Sequence, residues 1–177
     1  MSGSGTSDFE IQQLGAGHDR KAFDCGVPSL TDYLRRTARQ DMERDAAVAY
    51  VLVPTHNPTF IAGYYTLSAA QFLLRDLPEE QRRKLPRYPA VPGTLLGRLA
   101  VDNTVKGRRL GEQLLVDALH RSLRASRDVA SVAVVVDALD EGAAAFYERY
   151  GFKRFRDTPL RLFLPMKDIE ASFSPEA

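Results

Sequence analysis

The chain is short of the residues that build stapled or metal-held folds. It has a single cysteine, Cys25, which excludes an internal disulfide and a cysteine-based zinc site. Its histidines, His18, His56 and His120, lie far apart with no metal-ligand spacing between them. It is also nearly without net charge. Against 24 Lys and Arg stand 23 Asp and Glu, leaving +1, so nucleic-acid binding by a polybasic surface as a whole is excluded and only local patches remain. No apolar run is long enough to span a bilayer, and no basic-then-apolar leader opens the sequence. A cytoplasmic location is the resulting expectation. The 44% hydrophobic and 27% charged content is that of an ordinary soluble domain with room for a core. The expected organisation is a flexible Gly/Ser-rich lead-in over residues 1–8, one domain over 9–165, and a tail over 166–177 in which Met166 and Ile169 dock.

The order of elements is mixed α/β. Phe9 to Leu14 reads as a first strand. Ser29 reads as the N-cap of a helix whose Leu30, Tyr33, Leu34, Ala38 and Met42 form one apolar stripe. Its opposite face carries Arg35, Arg36, Arg39 and Arg44. Ala46 to Val53 and Phe60 to Ser68 read as a hairpin, because Pro54-Thr55-His56-Asn57-Pro58 between them is turn chemistry. Pro78 to Leu85 reads as a short helix inside a lid-like insertion. The proline series Pro86, Pro89, Pro92 then keeps the chain extended into a central strand. Val129 to Val136 has the near-continuous Val/Ala run of a strand buried on both faces, Glu141 to Tyr150 reads as a helix stopped at Gly151, and Phe152–Phe155 and Leu160–Leu164 read as closing strands.

The most informative stretch runs from Gly97 to Leu115. A strand (Leu95 to Val101) and a short polar turn lead into a basic loop, Lys106-Gly107-Arg108-Arg109-Leu110-Gly111, that opens a helix with Leu110, Leu114, Leu115, Ala118 and Leu123 on one face. A helix start presents unpaired N–H groups and partial positive charge, so it can hold a phosphate. The glycines let backbone approach the anion, and Lys106, Arg108 and Arg109 add charge around it.

This loop, joined to Ala145-Phe146-Tyr147-Glu148-Arg149-Tyr150-Gly151-Phe152, resembles the GNAT superfamily of acyl-CoA-dependent N-acetyltransferases. The family pattern is Gln/Arg-x-x-Gly-x-Gly/Ala; here Lys106 takes the first place, Arg109 the usual glycine place and Gly111 the last. A narrower resemblance covers most of the chain. Phe23-Asp24-Cys25-Gly26, Tyr33-Leu34, Gly63-Tyr64-Tyr65 and Leu96 to Asp102 look like the GNAT toxins of bacterial type II toxin–antitoxin systems.

The resemblance implies a GNAT fold with a mixed, mostly antiparallel sheet splayed at its middle strands and flanked by helices. It implies acetyl-CoA as co-substrate and no metal. The backbone of Leu99, Ala100 and Val101 would pair with the pantetheine arm, and Lys106 to Gly111 would hold the diphosphate. Asp140, Ala143 and Ala144 would line the channel, and Tyr147 would be the general acid for the leaving thiolate. It further implies aminoacyl-tRNA as acceptor, a ribbon-helix-helix antitoxin and a homodimer. Candidate tRNA contacts are Arg35, Arg36, Arg39, Arg75, Arg82, Arg83, Lys84 and Arg87. The other readings are a GNAT acting on a protein N-terminus or small amine, and a non-catalytic CoA-binding module. One absence bears on the choice: Gly93 to Val101 holds no carboxylate to act as base, and Asp102 after it reads as structural.

Overall fold

The computed structural model describes residues 7–174; most of the expected lead-in and the last residues of the expected tail lie outside them. Its secondary structure begins with strand β1 (Phe9–Gln13), whose partner across an antiparallel ladder is β2 (Val48–Pro54). Between them a helical run has three parts: α1 (Pro28–Asp32), a π-turn (Tyr33–Thr37) and α2 (Ala38–Glu43). The cap expected at Ser29 is not used. Pro28 opens the helix at its first turn, where a missing N–H is harmless, and Val27 sits at the cap position without a side-chain bond. The predicted stripe is nonetheless the buried one, with Tyr33, Leu34 and Ala38 in the core and Leu30 and Met42 packed at its margin.

Strand β3 (Gly63–Leu73) pairs antiparallel with β2, from Val48 opposite Leu67 to Leu52 opposite Gly63. A 3₁₀ turn (Leu74–Asp76) and the short α3 (Glu79–Arg82) lead to β4 (Ala90–Val101). The segment expected to be lid-like is anchored, since Leu77 is buried in a cluster with Phe72, Val91 and Phe163. After β4 come a 3₁₀ turn (Asn103–Val105), α4 (Leu110–Ala125), β5 (Ala133–Asp137), α5 (Glu141–Arg149), β6 (Lys153–Arg154), β7 (Arg161–Pro165) and α6 (Met166–Phe173). β5 starts four residues later than expected, with Val129 left 76% exposed. The stretch read as a tail forms α6, pinned by buried Met166 and Ile169.

The strands form a seven-stranded sheet in the order β1-β2-β3-β4-β5-β7-β6. β4 and β5 run parallel, and their ladder covers only Thr94 to Leu96, opposite Val134 to Val136, although β4 continues to Val101. β7 pairs antiparallel with both β5 and β6.

Chain contacts divide the molecule into two units. One comprises Met1–Leu67 with Arg98–Asp117, and its core joins Phe23, Leu34, Val51, Ile61, Tyr64 and Ala100. Here Gly63 is required by close approach: a Cβ on it would lie 2.9 Å from the Ala100 carbonyl oxygen and 2.9 Å from Leu114 Cδ1. The other comprises Ser68–Gly97 with Ala118–Ala177, its core built on Phe72, Leu77, Val91, Val135, Phe155 and Phe163. No helix among the described residues is long and apolar enough to cross a membrane, and no group of three or more metal-ligating side chains occurs among them.

Candidate functional site

In the first unit, a network of short polar contacts fixes the turn that precedes the basic loop. Asp102 is buried, and its Oδ1 accepts from the Thr104 N–H at 2.9 Å and the Thr104 hydroxyl at 2.6 Å. Its Oδ2 accepts from the Asp24 N–H at 3.0 Å, while the Asn103 N–H donates to the Asp24 carbonyl at 2.8 Å. Asp24-Cys25-Gly26 therefore clasps the end of β4. Lys106 completes the clasp by donating its ammonium to the Cys25 carbonyl at 2.8 Å. That contact uses one of its three donors and fixes the charge at the mouth of the loop.

The loop itself is exposed from Lys106 to Arg109, and Leu110 is buried, so the side chain of Leu110 anchors the start of the helix. Gly107 has φ +83, and a Cβ there would meet nothing within 4 Å, so its surroundings are open. Arg109 has φ 58, in the left-handed region. The position where the family pattern has glycine is thus one whose backbone favours glycine. Arg108 lies with its guanidinium 5.0 Å over the Phe9 ring. Among the described residues no side chain accepts from the N–H groups of Leu110, Gly111 or Glu112 at the start of the 16-residue α4. Three orphan donors, an open glycine and three basic side chains fit a diphosphate.

β4 carries Leu99, Ala100 and Val101 past the end of its β5 ladder. Sequence reasoning passed over Arg98 on the same strand. Its guanidinium lies 3.5 Å over the Tyr33 ring, and the Tyr33 hydroxyl donates to Asp41 at 2.8 Å. Burial, with the Asp41 carboxylate assisting, raises the Tyr33 phenol to about 12.

In the second unit, α5 is closed at its start. Asp140, expected as a channel residue, is its N-cap and accepts from the Ala143 N–H at 2.8 Å. Ala144 is fully buried and Ala143 half-buried, so these side chains pack the helix down. Arg154 fastens the exposed face, reaching Glu141 at 2.9 Å and Glu148 at 2.7 Å. Tyr147 is buried, with Phe146 and Phe152 edge-on at 5.2 and 5.3 Å. Burial raises its phenol pKa above the ordinary value of 10. Among the described residues no hydrogen bond engages its hydroxyl. A phenol held neutral with a free hydroxyl is equipped to donate a hydrogen bond to a developing anion, and passes its proton only to a stronger base.

The candidate RNA-contacting cations divide in two. Arg35 donates its Nε to the Phe23 carbonyl at 2.9 Å and so braces the fold. Arg39 pairs with Glu43 at 3.7 Å and Arg83 with Glu79 at 2.9 Å, both one helical turn apart. Arg36 and Lys84 are exposed. Arg75, Arg82 and Arg87 come together around one hollow, beside Tyr88, which sequence reasoning also passed over. Its signal was available: an aromatic residue between Arg87 and Pro89 in a proline-held stretch.

A family model described as acetyltransferase (GNAT) domain matches residues 74–154. A tRNA-acetylating toxin of Mycobacterium tuberculosis (strain ATCC 25618 / H37Rv) is 36% identical over 160 residues, 90% of this chain and 93% of the relative. Among solved structures, AtaT complexed with acetyl-methionyl-tRNAfMet superposes with a TM-score of 0.87 at 32% identity, covering 94% of this chain and 100% of that one. A mutant AtaT toxin bound to the C-terminus of the antitoxin AtaR and acetyl-CoA superposes at 0.81 with 29% identity, covering 95% and 99%.

Proposed function

The chain belongs to the GNAT family of acetyl-CoA-dependent N-acetyltransferases, in its toxin group, and we propose that it acetylates the α-amine of aminoacyl-tRNA and thereby stops translation. One observation carries the acceptor: no carboxylate is free along the central strand. β4 has no Asp or Glu, and Asp102 beyond it has both oxygens engaged within the turn. A lysine amine, with a pKa of about 10.4, is mostly protonated at neutral pH and needs a base, whereas an α-amine titrates near ~7.7–8.0 and an adjacent ester lowers it further. A site without a base suits an amine that arrives neutral.

In this reading acetyl-CoA supplies an acyl group activated as a thioester. The backbone of Leu99, Ala100 and Val101 pairs with the pantetheine arm as a strand edge does. The N–H groups at the start of α4, with Lys106, Arg108 and Arg109, hold the diphosphate. The amine attacks the carbonyl carbon, the C–N bond forms as the C–S bond breaks, and Tyr147 gives its proton to the departing sulfur. The amine's surplus proton goes to water, and Tyr147 is reprotonated from solvent. Arg36, Arg75, Arg82, Lys84 and Arg87 supply contacts to RNA phosphates. A cognate ribbon-helix-helix antitoxin, a homodimer and a cytoplasmic location complete the proposal; the AtaT structure with AtaR supports the antitoxin.

The test is transfer of labelled acetyl from acetyl-CoA to purified aminoacyl-tRNA, run beside peptides, free amino acids and small amines. Label on charged tRNA is expected. Label on peptides or small amines alone overturns the acceptor, and CoA binding with no transfer to any amine would leave a non-catalytic module.

A further inference from the structure

We infer that the hollow bounded by Arg75, Arg82, Arg87 and Tyr88 holds one unpaired nucleotide of the RNA acceptor, its base stacked on Tyr88 and its phosphates on the arginines. The inference deepens the proposed acceptor and rests on it for the identity of the RNA. The hollow has a volume of about 460 Å³, within the usual span of ligand sites. Three arginines line it and no acidic residue does, in a chain whose net charge is only +1. Among the described residues no carboxylate pairs with these arginines, whereas the neighbouring Arg83 is neutralised by Glu79. Among the described residues Arg82 Nε, shielded from water, has no hydrogen-bond partner.

Tyr88 decides what kind of polyanion fits. It is 65% exposed, a large ring left in water. The prolines on either side, Pro86 and Pro89, hold its backbone extended, and the Pro89 carbonyl accepts from the Leu74 N–H at 3.0 Å, closing the rim. Duplex RNA is read by its backbone and minor groove and offers no free base face. Unpaired bases stack on aromatic rings and guanidinium planes. A concave site with one ring among three arginines matches the second.

The chain contains no tryptophan, so Tyr88→Trp places a single tryptophan in the hollow, which can be excited apart from the remaining tyrosines. The probes are the RNA tetramer ACCA, a blunt RNA duplex of equal phosphate count, and adenosine 3′,5′-bisphosphate, the nucleotide end of CoA. Saturable quenching by ACCA, abolished by adding Arg87→Ala, is expected. Equal quenching by the duplex, stronger quenching by the bisphosphate, or none at all overturns the inference. In turnover, Tyr88→Ala raises KM for charged tRNA by about five- to a hundredfold while kcat holds, and Tyr88→Phe restores it. An unchanged KM in Tyr88→Ala, with wild-type protein acetylating charged tRNA, removes the nucleotide site and leaves the acceptor intact. ACCA quenching in a protein that labels no charged tRNA removes the acceptor and leaves an RNA site.

Discussion

Helices α4 and α5 each follow a connection from a strand of the same sheet, and they begin in opposite ways. Before α4 stands Arg109, left-handed and exposed, and no side chain among the described residues takes up the N–H groups of Leu110, Gly111 and Glu112. Before α5 stands Asp140, extended, with its carboxylate on the Ala143 N–H. One start leaves its positive end for an anion to satisfy. The other satisfies itself and, with Arg154 bridging Glu141 and Glu148, holds Tyr147 in a fixed place. The contrast follows from the two proposed jobs, since an anion site needs unmet donors and a proton donor needs a rigid mount.

The largest effect is expected at the tyrosine that the closed start positions. Tyr147→Phe removes only a hydroxyl and leaves the contacts with Phe146 and Phe152. Turnover on charged tRNA should fall by about 10²–10³, with acetyl-CoA affinity by calorimetry and Tm unchanged. Retained turnover would reduce Tyr147 to a packing residue. The pH profile gives a second check. Burial raises the phenol pKa above 10, and the protonated form is the one that acts, so ionisation of this group removes activity only above about pH 10. Loss of kcat at lower pH must come from another group.

Making the open start resemble the closed one should have the next largest effect. Arg109→Asp keeps a residue that tolerates the left-handed region and places a carboxylate at the open start. It also puts negative charge where the diphosphate is proposed to sit. Acetyl-CoA should bind at least about tenfold more weakly, with a cooperative urea transition showing that the fold is kept. An unchanged Kd would move the diphosphate away from α4. The reverse change, Asp140→Ala, opens the start of α5 and should cost about 0.5–2 kcal/mol of stability, read as a lower urea midpoint, with acetyl-CoA affinity untouched.

The same pair of helices marks what could be read from the sequence. The strand, basic loop and apolar stripe of α4, and Phe146-Tyr147 on α5, were legible because they are local patterns with strong periodicity. The fate of individual charges was not, because their partners are distant in sequence. Lys106 meets the carbonyl of Cys25, 81 positions away, and Arg35 meets that of Phe23. Asp140, expected along the channel from the resemblance, also caps α5, and a carboxylate three positions before an N–H at a helix start is a capping signal that the sequence already carried. α6 was missed because Met166 and Ile169, the side chains that pin it, are only two anchors in a polar stretch. Tyr88 was missed because exposure of a ring in a proline-held segment is a tertiary property.

The smallest effect is expected from Arg109→Gly, and it separates two roles for that side chain. Glycine removes the strain of a left-handed arginine but also loosens the unfolded chain, and the two partly cancel, for a net gain of about 0.5 kcal/mol. On binding, the variant loses a cation and gains room for the backbone to approach. The guanidinium is exposed and has no partner among the described residues, so it is available to phosphate, and its loss should outweigh the closer approach. Acetyl-CoA affinity should therefore weaken by about two- to fivefold, and the difference from wild type should shrink as salt rises and the screening length falls below about 10 Å, its value at about 0.1 M. Tighter binding in Arg109→Gly would instead make Arg109 a bulk that the loop tolerates, with the backbone donors of Leu110 and Gly111 holding the diphosphate without it.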